Sequence, residues 1–228
     1  MKKINLLGIS LTDYSLKESL KLSNQYINNG ALNTISVIST QILVEAAENP
    51  QHKEWIESMD LTILGETDIL RAADNATRNR LREVEKGEFL QEFFHRIARG
   101  RKTVYLLANS EQQLMHLKER VLQIQQGLNI VGQYVLEDMN AGIDSFINEV
   151  NDVVPTVIVS KFPYPLQEQL IFENKMKVNA DVWLALPEHS VTQAKKGMRS
   201  SKLVEWFYRK LFYRRVSKYA QKEQDKKD

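Results

Sequence analysis

Two rhythms of apolar and polar positions alternate along this chain. Ile4–Leu11, Thr34–Ser39, Leu61–Leu64, Thr103–Ala108, Val154–Ser160 and Val182–Leu186 are short runs rich in aliphatic and β-branched residues, and they read as strands. Asn129–Leu136 is a further strand candidate. Between them lie segments with helical spacing and recognisable ends. Ser15-Leu-Lys-Glu18 has the form of a capping box, with Gly30 as a later stop, and Ser110-Glu-Gln-Gln113 opens a helix to about Gln126. Gly87 to Arg99, closed by Gly100, is a third helix, and Gln167–Met176 follows a first-turn proline, Pro165.

Strand–helix alternation predicts an α/β fold with a mainly parallel, Rossmann-like sheet covered by helices on both faces. "TVYLLA" and "PTVIVS" are almost unbroken apolar runs, as strands buried on both faces should be. One domain is expected over 1–197, followed by a C-terminal helical appendage over 198–228 whose last stretch, "AQKEQDKKD", reads as disordered.

Composition narrows the chemistry. The 228 residues carry a formal net charge of only +2 and no cysteine, which removes disulfides, thiolate catalysis and zinc–thiolate sites. The N-terminus lacks the apolar core of a signal peptide, and no run approaches the roughly 20 apolar residues that span a bilayer. A cytoplasmic protein is expected. No dinucleotide fingerprint, P-loop or nucleophile elbow is present, and His52, His95, His116 and His189 are too scattered for a metal site, so neither metal nor cofactor is expected.

In an open parallel sheet, ligands bind beyond the carboxyl ends of the strands. Five loops qualify, beginning at Ser39, Gly65, Ala108, Ser160 and Pro187. In Gly65-Glu66-Thr67-Asp68 two carboxylates directly follow an apolar strand, where one could act as a general base on a sugar hydroxyl. The alternative is that Thr67 or Asp68 simply caps the next helix.

Charge is concentrated at the C-terminus. Arg199–Lys222 holds eight Lys or Arg residues against one acid, Glu205, interleaved with Trp206, Phe207, Tyr208, Phe212 and Tyr213. Helical spacing puts Val204, Phe207, Tyr208, Leu211 and Phe212 on one face and Lys202, Arg209, Lys210 and Arg214 on the other, with Arg215 and Lys218 intruding on the apolar side. Such a helix could dock on the body or lie in a membrane interface. Nucleic acid is not expected as a partner, because no nucleic-acid module accompanies the tail.

The order of segments resembles the WecG/TagA/CpsF glycosyltransferase family. "INLLGISLTDYSLKESL" is similar to its opening strand and helix, "TVYLLANSEQQLMHLKERV" to its central strand and helix, "PLQEQLIFEN" to its P-K-Q-E helix start, and "VEWFYR" to its L-E-W-x-Y-R segment. The resemblance implies inverting transfer of an N-acetylhexosamine, such as N-acetylmannosamine, from a UDP-sugar to a sugar on undecaprenyl diphosphate. It places the protein on the inner face of the cell membrane, in teichoic acid or other envelope polysaccharide synthesis. Glu66 stands where the family has its catalytic aspartate. Donor contacts are expected from Ser36, Thr40, Asp68, Asn109, Gln167 and Glu168, and contacts with the lipid diphosphate from Arg209, Arg214 and Arg215.

The family's glycines after the central strand read Ala108-Asn109, its G-x-G reads Lys161-Phe162-Pro163, and its R-V-T-G-S-D arginine aligns with Glu83. Those losses leave a second reading open: a non-catalytic member that binds a partner glycosyltransferase, a second copy of itself or an anionic membrane surface.

Overall fold

The computed structural model describes residues 2–137, 139–188 and 199–224. Its centre is the pair of runs that the apolar pattern singled out. β5 (Thr103–Ala108) and β7 (Val157–Lys161) lie side by side, with Val104–Ala108 and Val157–Val159 all fully buried. β-branched and aliphatic side chains on both faces leave no solvated side, so helices must cover the sheet above and below.

Six parallel strands run in the order β4-β3-β8-β7-β5-β6, with β3 at Asn33–Ile38, β4 at Leu61–Leu64, β6 at Asn129–Val135 and β8 at Val182–Ala185. Every strand pair is in parallel register, from Ile38 against Leu64 to Ala108 against Val135. The expected α/β sheet is present. β6 forms one edge and is half exposed. Gly132 on it lies against the Tyr105 ring, where a Cβ would clash.

Two departures matter. Ile4–Leu11 is not one strand but an antiparallel hairpin, β1 (Lys2–Leu6) and β2 (Ile9–Asp13), standing apart from the main sheet. The chain reverses at Leu7 and Gly8, both at positive φ, and leucine in that region gave no turn signal. Between the sheet strands the chain also forms α2 (Thr40–Ala46), α3 (Pro50–Glu57), α4 (Thr67–Ala72), α5 (Arg78–Lys86) and α8 (Met139–Val153). The expected helices are α1 (Leu16–Tyr26), α6 (Glu88–Arg99), α7 (Glu111–Ile124) and α9 (Leu166–Asn174), the last followed by a 3-10 turn at Lys175–Lys177.

Caps set their starts. Ser15 and Glu18 form the reciprocal capping box, whereas Ser110 caps α7 alone, and the side-chain carbonyl of Gln113 has no hydrogen-bond partner.

α10 (Arg199–Gln224) crosses α2 and α4. It runs on through 220–224, which had read as disordered; residues 225–228 lie outside the described residues, as do His189, the boundary at 197 and the side chains of Lys202 and Val204.

Candidate active site

The carboxyl ends of β3, β4, β5, β7 and β8 open on the same side of the sheet, next to α10. At the tip of β4, Gly65 donates its amide to the Ile38 carbonyl at 2.8 Å. A Cβ there would sit 2.9 Å from that oxygen and 2.9 Å from a Val37 methyl, so only glycine permits the approach. This pins the following residue, Glu66, at the N-cap of α4. Its carboxylate does not cap the helix; Oε2 accepts the Thr40 hydroxyl at 2.8 Å, bridging the tips of β3 and β4.

Neither alternative cap operates. Thr67 Oγ1 accepts from Arg71 at 2.9 Å. Asp68, buried beneath α10, accepts the Tyr213 hydroxyl at 2.7 Å and pairs with Arg209 Nε at 3.0 Å and Arg71 at 3.4 Å.

The other expected positions divide. Asn109 is at the β5 tip, with its buried side-chain oxygen lacking a hydrogen-bond partner. Gln167 is consumed by the fold. Its Oε1 accepts Ser160 Oγ at 3.1 Å and the Phe162 amide at 3.2 Å, and its Nε2 donates to the Leu186 carbonyl at 3.0 Å, tying the tips of β7 and β8 together.

Glu168 is 1% exposed, and its Oε2 has no hydrogen-bond partner. Burial raises its pKa to about 8, opposed by its own backbone amide and reinforced by Glu45, so it stays protonated at neutral pH. Ser36 lies inside β3, 1% exposed and two residues short of the strand's end, and its buried hydroxyl has no hydrogen-bond partner.

Of the three arginines, Arg215 is spent on docking: it donates to the Val44 carbonyl at 2.8 Å and pairs with Glu48 at 2.7 Å. Arg209 engages Asp68 through Nε alone, and Arg214 is exposed with no ion pair among the described residues.

Beside Gly65 a small cleft opens between the β4 edge and α1, α5 and α6. Arg80 forms its charged wall, where the aligned motif had pointed to Glu83. Its Nη2 meets Asp13 Oδ1 at 2.5 Å, its Nε meets Asp13 Oδ2 at 3.4 Å, and its Nη1 binds Glu83. These two carboxylates raise its pKa against the burial that would lower it.

Lys161, at the β7 tip, is a second cation that position alone had not singled out. It is 8% exposed, and burial together with Arg120 lowers its pKa, against a raising pull from Glu188. The signal for it in the sequence was a lysine closing an otherwise apolar strand.

The glycosyl transferase WecG/TagA/CpsF family model matches residues 4–218. The chain belongs to this family. No curated protein matches it. Membership of the WecG/TagA/CpsF family indicates a glycosyltransferase of cell-envelope polysaccharide synthesis, working in general between a sugar donor and a lipid-linked acceptor. Among the described residues no helix is long and apolar enough to cross a membrane.

Proposed function

We propose that this family member transfers an N-acetylhexosamine from a UDP-sugar to a sugar carried on a lipid diphosphate, with Glu66 as the general base. One observation carries the reading: a carboxylate fixed by Thr40 at the tip of β4, beside a cleft, at the carboxyl end of a parallel sheet. A base positioned this way takes the acceptor hydroxyl's proton as the hydroxyl attacks the anomeric carbon, and UDP leaves from the opposite face. Ser36, Asn109 and the protonated Glu168, each with a buried polar atom that has no hydrogen-bond partner, are polar groups left to meet the donor. Arg214 and the free edge of Arg209 face the lipid phosphates, next to the exposed Trp206 and Phe207 rings at the membrane surface.

Calorimetry with UDP and UDP-N-acetylhexosamines tests the donor. Glu66→Gln should lower turnover by at least about a hundredfold while leaving donor affinity within about twofold. Unchanged turnover would remove Glu66 from the role of base.

The engagement of Gln167 in bracing the strand tips favours a second reading, a non-catalytic member that binds a partner glycosyltransferase, a second copy of itself or lipid. Absence of any heat with millimolar UDP-sugars would support it.

A further inference from the structure

We infer that Arg71 on α4 and Arg209 on α10 form a two-guanidinium clamp for the diphosphate of a lipid-linked acceptor, with Asp68 as the positioning residue that holds them together. This rests on the glycosyltransferase reading, and it adds a residue of the sheet domain to a contact otherwise carried by the C-terminal helix alone.

The clamp is built around one carboxylate. Asp68 is buried, and its oxygens are shared among three partners. Oδ2 pairs with Arg209 Nε at 3.0 Å, while Oδ1 accepts the Tyr213 hydroxyl at 2.7 Å and pairs with Arg71 Nη1 at 3.4 Å. Arg71 Nη1 also donates to Thr67 Oγ1 at 2.9 Å, so this guanidinium is fixed at two points of its own helix. Two like charges that would repel in isolation are thereby held against a single buried anion. Tyr213 senses both of them: burial and Asp68 raise its pKa, and Arg209 and Arg71 oppose the rise.

The commitments end there. Arg209 pairs through Nε, which leaves the fork of its two Nη groups, and Arg71 keeps the fork of Nε and Nη2. Both side chains are about half exposed. Phosphate oxygens suit such forks, and two forks match the two phosphates of a diphosphate. A ligand reaches these outer edges without displacing Asp68. Two cations against one carboxylate also leave an excess positive charge at this rim, whereas Arg80 in the cleft faces both Asp13 and Glu83.

Placement favours a lipid-borne ligand. The exposed Trp206 and Phe207 rings lie within one turn of Arg209 on α10. Asp68 lies two residues after Glu66, so the short segment that carries the base also carries the brace.

The test titrates the full chain with farnesyl diphosphate, a soluble prenyl diphosphate, by phosphorus NMR and calorimetry. Arg71→Gln should weaken binding at least about tenfold, as loss of a charge-assisted fork requires. Arg78→Gln removes the same charge from an exposed position on α5 and should stay within about twofold. Arg71→Lys restores the charge but not the fork, and should remain at least about threefold weaker than the unmodified protein. Asp68→Asn decides the positioning role by its sign. Removing a negative charge should tighten a phosphate through the field alone, but loss of the brace should weaken it about threefold or more. Denaturation midpoints establish that each variant is folded.

An Arg71→Gln loss no larger than that of Arg78→Gln would overturn the clamp, and unchanged or tighter binding by Asp68→Asn would overturn the brace. UDP should lose less than about twofold in Arg71→Gln; an equal loss would assign the site to the donor and overturn the acceptor assignment. Cosedimentation with phosphatidylglycerol–phosphatidylcholine vesicles should also survive in Arg71→Gln. Its loss, with farnesyl diphosphate still bound normally, would make the site a headgroup contact and sink the proposal. Turnover of a UDP-sugar with an acceptor KM that Arg71→Gln leaves unchanged would remove the clamp and keep the transferase reading. Arg71-dependent binding of farnesyl diphosphate without any binding of UDP-sugars would keep the clamp and remove the UDP-sugar donor.

Discussion

The two sides of α10 are built from the same residue types and meet different fates. On the body side Phe212 is fully buried, the Tyr208 hydroxyl donates to Glu45 at 2.6 Å, the Tyr213 hydroxyl donates to Asp68, and Arg215 reaches a backbone carbonyl and Glu48. On the outer side Trp206 and Phe207 are 58% and 56% exposed, with Lys210 over the Trp206 ring and Arg214 nearby. The difference lies in the surface that α10 meets. α2 and α4 present carboxylates as well as apolar side chains, so the residues that dock are those offering a hydroxyl or a guanidinium together with a hydrophobic body. Amphipathicity in α10 is a matching of hydrogen-bond partners, and counting apolar residues alone misses it.

Breaking the docked face should have the largest effect. Phe212→Ala deletes a fully buried ring of the cluster that also holds Ile38, Ile42 and Leu43 and should cost about 4 kcal/mol, read from the denaturation midpoint. A loss below about 1 kcal/mol would mean that α10 contributes little to holding the body together.

Next comes a pH dependence beneath the same face. Glu168 is confronted by Glu45 from α2, which in turn holds Tyr208 and Gln41, and by Tyr164 from the loop before α9. Its folded pKa of about 8 lies above the value of an unfolded glutamate, so between those two pH values the folded state binds more protons. Stability contributed below the unfolded pKa is therefore lost progressively as pH rises toward 8 and then levels off. Between about pH 5.5 and 8 the fall attributable to this group should be on the order of 3 kcal/mol. Glu168→Gln should flatten that slope, and an unchanged slope would show that the carboxyl is ionised in the folded protein.

How much of this was legible follows from the same physics. Both-face burial writes itself into "TVYLLA" and "PTVIVS", because few polar residues are tolerated there, and β5 and β7 follow directly. α4 has six residues and starts from Glu66, whose side chain does not cap it, so the local cap candidates Thr67 and Asp68 misplace its start. Glu66 drew attention because two carboxylates follow β4 closely and the family resemblance aligns it with an aspartate. Arg80 was not, since its meaning comes from Asp13, which is 67 positions away and meets it only through the fold. Helical spacing put both Phe207 and Arg215 on the apolar side: Arg215 docks there, on the Val44 carbonyl and Glu48, whereas Phe207 gains no hydrophobic wall and stays exposed. The depth of Ser36 inside β3 is something a one-dimensional motif does not record.

The smallest change in stability should come from the outer face, and it sharpens the comparison most. Replacing Trp206 and Phe207 by serine removes two rings that are already more than half in solvent, so the denaturation midpoint should move by less than about 0.5 kcal/mol. If those rings enter a bilayer interface, the same variant should lose most of its cosedimentation with vesicles containing anionic lipid, while Phe212→Ala behaves in the opposite sense, losing stability first. Neutralising Lys210 and Arg214 should make residual binding less sensitive to salt, because the rings contribute through area and the cations through a screened field. Equal pelleting of the serine variant and the unmodified protein would assign the exposed rings to a protein partner, and the two faces of α10 would then serve two docking surfaces.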